Sequence, residues 1–313
     1  MAEGAGEGRR PGCGALEGDA GGVRVAGPAA VGGEAVTTAP EVTCELTVRT
    51  DDGADLAVTV LAPLAGTVPA GDVVLVHGWA HARRVWGTVA DRLIRAGHRV
   101  VLYDQRGHGA STLGRTAVSV ERLGADLAAV LGETGAREAV VVGHSGGGFA
   151  ALSYASTSPS AGRLRGLVLL GTAAHGQDTP DSEVKMMGSA VFSWALRRGW
   201  LGGRLLGSTM GKGVDPVVLD VNRQLFAGTV PRVRADFFRC TRGWDVREAL
   251  ASVTIPAVVV HGEGDKVIAV ELARTLAGVL PRARFESVAG AGHMLPLERP
   301  LLVVAAVGEL ASR

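Results

Sequence analysis

Cysteine is scarce in this sequence, and its three copies are widely scattered. Cys13, Cys44 and Cys240 are odd in number and far apart along the 313-residue chain. This usage favours a reducing compartment and predicts neither a disulfide framework nor a metal site. The histidines and carboxylates also lack a metal-binding spacing such as His-Glu-x-x-His, so we expect no metal and no cofactor.

The sequence also lacks an excess of either charge and any long apolar run. Lys and Arg total 32 against 31 Asp and Glu, and no strongly basic tract is present. This balance argues against nucleic acid or an anionic membrane as the main partner. No apolar run is long enough to span a bilayer, and Arg9 and Arg10 are not followed by the apolar core of a secretory signal. We therefore expect a cytoplasmic protein.

What is present suffices for one large domain. Hydrophobic residues make up 47% of the chain, which is ordinary for a globular protein that buries a substantial core. Residues 1–40 differ, because they are rich in Gly, Ala and Glu, contain no aromatic residue and show no periodicity. We expect a disordered N-terminal arm over 1–40 and a folded domain over 41–313.

Short apolar runs alternate with helical patterns from residue 43 onward. Residues 44–48 and 56–60 alternate apolar and polar positions on either side of Asp51-Asp52-Gly53, which predicts an antiparallel hairpin. Further strands are predicted at 72–76, 99–103, 139–142, 166–170, 257–260 and 284–288. Strands that alternate with helices indicate an α/β fold with a mostly parallel sheet and helices on both faces.

The stretch Gly143-His144-Ser145-Gly146-Gly147 separates a predicted buried strand from a predicted helix. A sharp turn there strains the backbone of Ser145. Side chains two residues before and after the serine would collide, so Gly143 and Gly147 carry none. Such a turn exposes the serine hydroxyl at the carboxyl edge of a sheet.

This strand–turn–helix unit resembles the nucleophile elbow of the α/β-hydrolase family. Three further loops are similar to family loops: His77-Gly78-Trp79, the loop that carries Asp265 and the loop that carries His293. The resemblance covers about 43–313. It implies an eight-stranded, mostly parallel α/β-hydrolase sheet with a helical lid, residues 172–244, inserted before the penultimate core strands.

A serine hydroxyl needs a histidine base to act as a nucleophile, and the base needs a carboxylate to fix its tautomer. In α/β-hydrolases these residues follow the chain order Ser, acid, His. The resemblance therefore implies that Ser145 is the nucleophile, Asp265 the acid and His293 the base. Glu263 is a rival for the acid, whereas Asp245 is more typical of a helix N-cap.

The resemblance also implies that the backbone N–H groups of Trp79 and Gly146 form an oxyanion hole. His144 is predicted to be a packing or pocket residue. His108 lies near the same sheet edge, either in a structural role or within reach of a substrate. The segment from Asp104 to Gly109 is similar to one shared by many serine hydrolases, and Asp104 and Arg106 are expected to organise that loop by local hydrogen bonds and ion pairing.

The helical segment 172–244 contains clustered Met and aromatic residues. Because Met suits a pocket of imprecise shape, we expect Met186, Phe192 and Phe226 to bind the substrate. The alternative for each of these residues is the packing core of the lid itself, where apolar residues more often lie.

Together these residues predict a serine hydrolase that acts on carboxylic esters, thioesters or lactones through an acyl-enzyme. The expected partner is a small molecule with an apolar acyl part. Cofactor-free perhydrolysis of the haloperoxidase type and hydrolytic C–C cleavage use the same triad and remain alternatives. A non-catalytic ligand-binding protein on this fold is a further alternative, since fold does not fix function. The sequence leaves the oligomeric state open.

Overall fold

The computed structural model describes residues 42–158, 160–161, 164–176 and 179–312. The arm expected over 1–40 lies outside these residues. The sheet consists of β1 (Val42–Arg49), β2 (Asp55–Leu61), β3 (Asp72–Val76), β4 (Arg99–Tyr103), β5 (Val140–His144), β6 (Gly166–Leu170), β7 (Ala257–Gly262) and β8 (Ala283–Val288).

These eight strands lie in the order β1-β2-β4-β3-β5-β6-β7-β8. The strands β1 and β2 form the predicted antiparallel hairpin, and β2 runs antiparallel to β4. All the other neighbouring strands pair in parallel. The prediction of a mostly parallel eight-stranded sheet is confirmed. The carboxyl ends of β3 to β8 therefore meet at one edge of this sheet.

Helices connect most of the parallel strands. They are α1 (Gly87–Arg95), α2 (Val120–Thr134), α3 (Gly146–Thr157), α9 (Arg247–Leu250), α10 (Val270–Val279), α11 (Leu295–Glu298) and α12 (Pro300–Ala311), with a short 3-10 helix at Arg83–Trp86. Among the described helices, none combines the length and the apolar character that a membrane crossing requires.

Alternate side chains of each central strand enter two different apolar cores. Val74 and Val76 of β3 pack with residues of α2, α3 and α10. Val73 and Leu75 of the same strand pack with residues of α1 and α12. The period of two in a strand sends neighbouring side chains to opposite faces. Burial on both faces explains why these strands read as uninterrupted apolar runs.

A group of helices lies between β6 and β7. These are α4 (Asp181–Met187), α5 (Ala190–Arg197), α6 (Gly199–Gly207), α7 (Pro216–Gly228) and α8 (Pro231–Cys240). Residues 172–244, which contain them, are termed the insertion. Since β6 and β7 are parallel neighbours, the insertion begins at the carboxyl edge of the sheet, where β6 ends.

A buried ion network ties the hairpin to the parallel part of the sheet. Arg106 is fully buried and donates to both Asp126 oxygens at 2.6 Å and to the Asp52 oxygens at 2.9 and 3.2 Å. Its hydrogen bonds hold the pKa of Asp52 well below its usual range. Arg106 was expected to organise its own loop, but its ion-pair partners lie outside that loop, in the β1–β2 turn and in α2.

Candidate active site

Ser145 occupies the turn between β5 and α3 with φ of 50° and ψ of −117°. A Cβ on Gly143 would lie 2.6 Å from the Gly147 carbonyl oxygen, and a Cβ on Gly147 would overlap the carbonyl oxygen of Val76. Both positions require glycine, as the sequence predicted. The Ser145 N–H donates to the Leu170 carbonyl at 2.8 Å, which ties the turn to the end of β6.

His293 and Asp265 form a hydrogen-bonded pair. His293 Nδ1 lies 2.8 Å from Asp265 Oδ2, and because a carboxylate accepts, Nδ1 carries the proton and Nε2 is free to accept one. The other oxygen of Asp265 accepts the N–H groups of Val267 and Ile268 at 2.7 and 3.0 Å. Burial raises the pKa of Asp265, but His293 and these hydrogen bonds outweigh it and lower the pKa below the ordinary value.

The rival carboxylates lie elsewhere. Glu263 is exposed and accepts a hydrogen bond from Ser287 at 3.3 Å. Asp245 is also exposed and pairs with Arg247 at 2.6 Å. It lies one residue before the N-cap of α9, which is Val246 and not Asp245 as the sequence suggested. Among the described carboxylates, only Asp265 forms a hydrogen bond or ion pair with the His293 ring.

Glu298 clamps the loop that carries His293, a contact that the sequence analysis missed. Its Oε2 accepts the Gly292 N–H at 2.9 Å, and its Oε1 accepts the Met294 N–H at 3.0 Å. It therefore holds the residues on both sides of His293. Its Oε2 also accepts the N–H of Gly211 in the insertion at 2.8 Å. The available signal was that Glu298 is the first charged residue after the apolar run Met294-Leu295-Pro296-Leu297.

Buried histidines fix the peptide groups around Trp79. His77 Nδ1 donates to the Gly78 carbonyl at 2.6 Å, and its Nε2 accepts the Gln105 N–H at 2.9 Å. His81 Nδ1 donates to the carbonyl of Trp79 itself at 2.7 Å. Since a carbonyl only accepts and a backbone N–H only donates, these partners define which ring nitrogen carries the proton.

His108 holds the next peptide group along the chain. Its Nε2 accepts the Ala80 N–H at 3.0 Å, and its Nδ1 donates to the Arg106 carbonyl at 3.0 Å. Ala80 has φ of 57°, in the left-handed region that non-glycine residues seldom adopt. Burial lowers the pKa of His77 and of His108 to about 3, so both stay neutral at pH 7. The contacts of His108 are therefore structural.

The backbone N–H groups of Trp79 and Gly146 have no hydrogen-bond acceptor among the described residues. The two residues are neighbours in space, because a Cβ on Gly146 would overlap the Trp79 indole. Trp79 lines the same cavity as Ser145. The two N–H groups are therefore unused donors close to the serine.

His144 contacts the backbone of His293. Its Nε2 lies 2.9 Å from the His293 carbonyl and therefore donates to it, which leaves Nδ1 as an unprotonated acceptor. Nδ1 is buried without a partner among the described residues and lies beside Gly78, where a Cβ would come within 2.8 Å of it. Burial, and then the neighbouring His293, keep the pKa of His144 well below its usual value.

A cavity of about 360 Å³ joins these groups. The loops at the sheet edge contribute Gly78, Trp79, His81, His144, Ser145 and His293. The insertion contributes mainly apolar and uncharged polar residues, namely Met187, Leu206, Thr209, Asn222, Phe226, Phe238 and Thr241. Exposed Glu183 and Lys266 also border it. A largely apolar pocket with a few convergent polar groups is typical of a small-molecule site.

His81 and Asn222 connect the sheet side of the cavity with α7. His81 Nε2 lies 2.8 Å from the Asn222 amide oxygen position. Burial lowers the pKa of His81, and the hydrogen bonds to Asn222 and to the Trp79 carbonyl oppose this shift. No sequence pattern indicated this pairing, because the partners lie far apart along the chain.

The three insertion residues expected to bind the substrate lie in different environments. Phe226 lines the cavity. Met186 instead is 43% exposed on the outside of α4, and its neighbour Met187 lines the cavity. Phe192 lies behind the cavity wall, with its ring 6.4 Å from that of Phe226. Successive helix residues point about 100° apart, so helix register decided between Met186 and Met187.

A buried arginine organises the wall around Phe226. Arg234 donates to the carbonyls of Met187 and Thr229 at 3.2 and 2.5 Å and to Ser193 Oγ at 2.5 Å. Its guanidinium lies 5.9 Å from the Phe226 ring centroid. No described carboxylate pairs with Arg234, and burial, assisted by Arg197, lowers its pKa. Backbone carbonyls therefore hold this cation and, through it, two residues of the cavity wall.

The chain is similar to known hydrolases and related enzymes. A family model, described as Hydrolase_4: Serine aminopeptidase, S33, matches residues 67–300. A non-heme haloperoxidase of Rhodococcus erythropolis is 25% identical over 233 residues, which cover 69% of this chain and 83% of that protein. The bifunctional esterase/perhydrolase DCH of Acinetobacter calcoaceticus is 26% identical over 263 residues, covering 80% of this chain and 93% of that protein. A thermophilic esterase from Thermogutta terrifontis superposes with a TM-score of 0.69 at 26% identity, over 85% of this chain and 97% of that one.

Glu298→Gln should loosen the loop around His293. An amide offers one accepting oxygen in place of two, so at least one backbone N–H loses its charged acceptor. We expect the free energy of unfolding to fall by about 1.5–3 kcal/mol. We also expect faster hydrogen exchange at the amides of Gly292 and Met294, measured by NMR. Exposed Glu248→Gln is the matched control, and equal effects of both substitutions would contradict the clamp.

The neutral histidines predict a pH-dependent stability. Between about pH 6.5 and 3, His77 and His108 take up protons in the unfolded chain but not in the folded one, so stability falls as the pH falls. Each should contribute a slope of about 1.4 kcal/mol per pH unit. His108→Gln should reduce the slope by that amount near pH 5, measured by urea unfolding, and leave the pH dependence above pH 7 unchanged. An unaltered slope near pH 5 would refute the neutral, buried state of His108.

Proposed function

The chain belongs to the Hydrolase_4 family of α/β-hydrolases and is an enzyme of that family, and we propose that it is a serine hydrolase of carboxylic esters, thioesters or lactones. One observation carries the proposal: Ser145 and His293 line one cavity, and buried Asp265 bonds to the His293 ring. The esterases among its relatives and structural neighbours support the same reaction class.

The proposed reaction starts with proton transfer. His293 Nε2 takes the proton of Ser145 Oγ as this oxygen attacks the substrate carbonyl carbon, and Asp265 stabilises the imidazolium that forms. The carbonyl oxygen becomes an oxyanion that accepts from the unused N–H groups of Trp79 and Gly146. Loss of one such donor typically costs about 2.7–4 kcal/mol of transition-state stabilisation.

The second half of the reaction reverses these roles. His293 gives its proton to the departing alcohol, thiol or ring oxygen, which leaves an acyl ester on Ser145. Water then loses a proton to His293 and attacks the acyl carbon through the same oxyanion geometry. Departure of Ser145 Oγ, which regains its proton from His293, releases a carboxylic acid.

We propose that the insertion serves as a lid and that its apolar wall receives the acyl part. Met187, Leu206 and Phe226 line the cavity together with Ser145. A cover of this kind excludes bulk water and strengthens the electrostatic interactions of the oxyanion. The substrate class is therefore a small or medium ester, thioester or lactone with an apolar acyl group.

Perhydrolysis is the second candidate. A relative that covers 80% of this chain is named a bifunctional esterase/perhydrolase, and another is a haloperoxidase that lacks heme. In that reaction hydrogen peroxide replaces water as the second nucleophile, and a peracid is released. Formation of peracid from an ester and hydrogen peroxide by the purified chain would support this candidate.

Active-site labelling tests the proposed nucleophile. A fluorophosphonate probe should label one serine, identified as Ser145 by peptide mass spectrometry. Ser145→Ala and His293→Ala should each abolish ester turnover nearly completely, because the residues act as one unit. Asp265→Asn should lower kcat by about 10⁴-fold, and Glu263→Gln should retain the wild-type rate. Labelling at another serine, or loss of activity in Glu263→Gln alone, would contradict these roles.

Acyl-chain preference tests the proposed lid. Phe226→Ala and Met187→Ala should change the ratio of kcat/KM between short and long acyl esters, by at most about 10–200-fold, since few methylene contacts are lost. Met186→Ala is the matched control, because this neighbouring side chain faces outward. If all three variants keep the wild-type profile, the acyl group binds elsewhere in the cavity.

A further inference from the structure

Residues 184–214 of the insertion have a local excess of positive charge, although the whole chain is nearly neutral. They contain five basic residues and no acidic residue. These are Lys185, Arg197, Arg198, Arg204 and Lys212, all of them exposed. None pairs with a described carboxylate. Unpaired cations at this density create a positive local potential.

Large apolar side chains stand among these cations. Trp200 is 77% exposed, Val191 76% and Trp194 54%. The Arg198 guanidinium lies 5.0 Å from the Trp194 ring centroid. Together with Arg197 and Arg204, these residues form what we term the outer face of the insertion. Exposed large apolar side chains that cluster in this way mark an interaction surface.

The spacing of these residues places the exposed tryptophans and arginines on one side of each helix and the buried apolar residues on another. In α5, Val191, Trp194 and Arg197 are separated by three residues and share one side, while Phe192 and Leu196 are buried on the other. In α6, Trp200 and Arg204 lie four residues apart on the exposed side. Since the buried side chains already pack these helices against the rest of the protein, the fold does not require the exposed tryptophans.

We propose that the outer face of the insertion binds an anionic lipid surface. Tryptophan and arginine side chains are suited to the membrane–water boundary, because each combines an apolar body with a polar end. Apolar residues that insert beside basic residues that meet lipid phosphates are the usual basis of surface binding. The expectation of no membrane partner came from the charge of the whole chain. That total does not reveal the local excess of basic residues in the insertion.

Other occupants fit these features less well. A second copy in a twofold interface would bring the same cations against one another, since such an interface uses one patch twice. A peptide partner needs a groove for its anchor residues. The outer face offers side chains that project from the convex surfaces of two helices, which suits a broad lipid surface.

The position of the outer face links it to the cavity. Leu205 of α6 is 40% exposed, whereas its neighbour Leu206 lines the cavity. Helix α6 therefore contacts the proposed lipid surface on one side and the proposed acyl site on the other. The lipid-binding proposal goes beyond the serine-hydrolase function and does not depend on it.

Vesicle sedimentation tests the proposal with the full chain. The protein should sediment with vesicles of phosphatidylcholine and phosphatidylglycerol at low ionic strength, and much less with phosphatidylcholine alone. Arg197→Glu combined with Arg204→Glu should lower the partition coefficient at least about 30-fold, at about tenfold per 1.4 kcal/mol and 1 kcal/mol per basic residue. Trp200→Ser should also weaken binding while the charge stays the same.

The matched control reverses two exposed arginines at the other edge of the sheet. Arg137 precedes β5 and Arg282 precedes β8, at the amino ends of these parallel strands. Arg137→Glu combined with Arg282→Glu gives the same net charge as the test variant and should bind like wild type. All variants should keep the wild-type unfolding transition and the wild-type rate on a short soluble ester or, should that activity be absent, the wild-type circular dichroism spectrum.

Several results would overturn the proposal. One is failure of the full chain to bind anionic vesicles, and another is an equal loss of binding in the control variant. A concentration-dependent dimer that Trp200→Ser abolishes would assign the face to a second copy. Retention by an acidic protein, without vesicle binding, would assign it to a protein partner.

Discussion

The backbone conformation of Ser145 is the constraint on which the rest of the site depends. Its positive φ exists because α3 begins directly against β3, so closely that Gly147 meets the carbonyl of Val76. The end of β6, which lies beside this turn, also requires a glycine. Gly171 has φ of 51°, and a Cβ there would lie 3.2 Å from His293 Nδ1 and 3.3 Å from Asp265 Oδ2. Because Gly171 has no side chain, the end of β6 leaves room for His293 and Asp265.

Neutral imidazole groups hold the loops around this turn. His77 and His108 each use one nitrogen as donor and the other as acceptor, so a second proton would displace a backbone N–H. Their burial keeps that proton away and so keeps the loops in place. The peptide groups beside Trp79 therefore have fixed directions before any substrate arrives. Donors that are fixed in advance need no reorganisation when charge develops on the substrate.

Cationic side chains have different environments on the two sides of the insertion. Arg234 is buried with no carboxylate partner among the described residues, and backbone carbonyls hold it against the wall that contains Met187 and Phe226. On the outside, Trp200 and Arg204 are exposed without partners among the described residues. One side of the insertion therefore depends on a satisfied buried cation, whereas the other exposes cations that pair with no carboxylate among the described residues.

The sequence by itself determined the α/β class, the parallel sheet and the glycine positions around Ser145, because these follow from local periodicity and local sterics. It also brought Asp265 and His293 to the carboxyl ends of neighbouring strands. Tertiary structure showed that Asp265, the acid that the family resemblance implied, bonds to His293, whereas Glu263 is exposed. It alone decided between Met186 and Met187 in the cavity wall, because adjacent helix residues point about 100° apart. It alone joined Glu298 to the loop of the insertion and His81 to Asn222, since hydrogen bonds between residues distant along the chain leave no periodic pattern in the sequence.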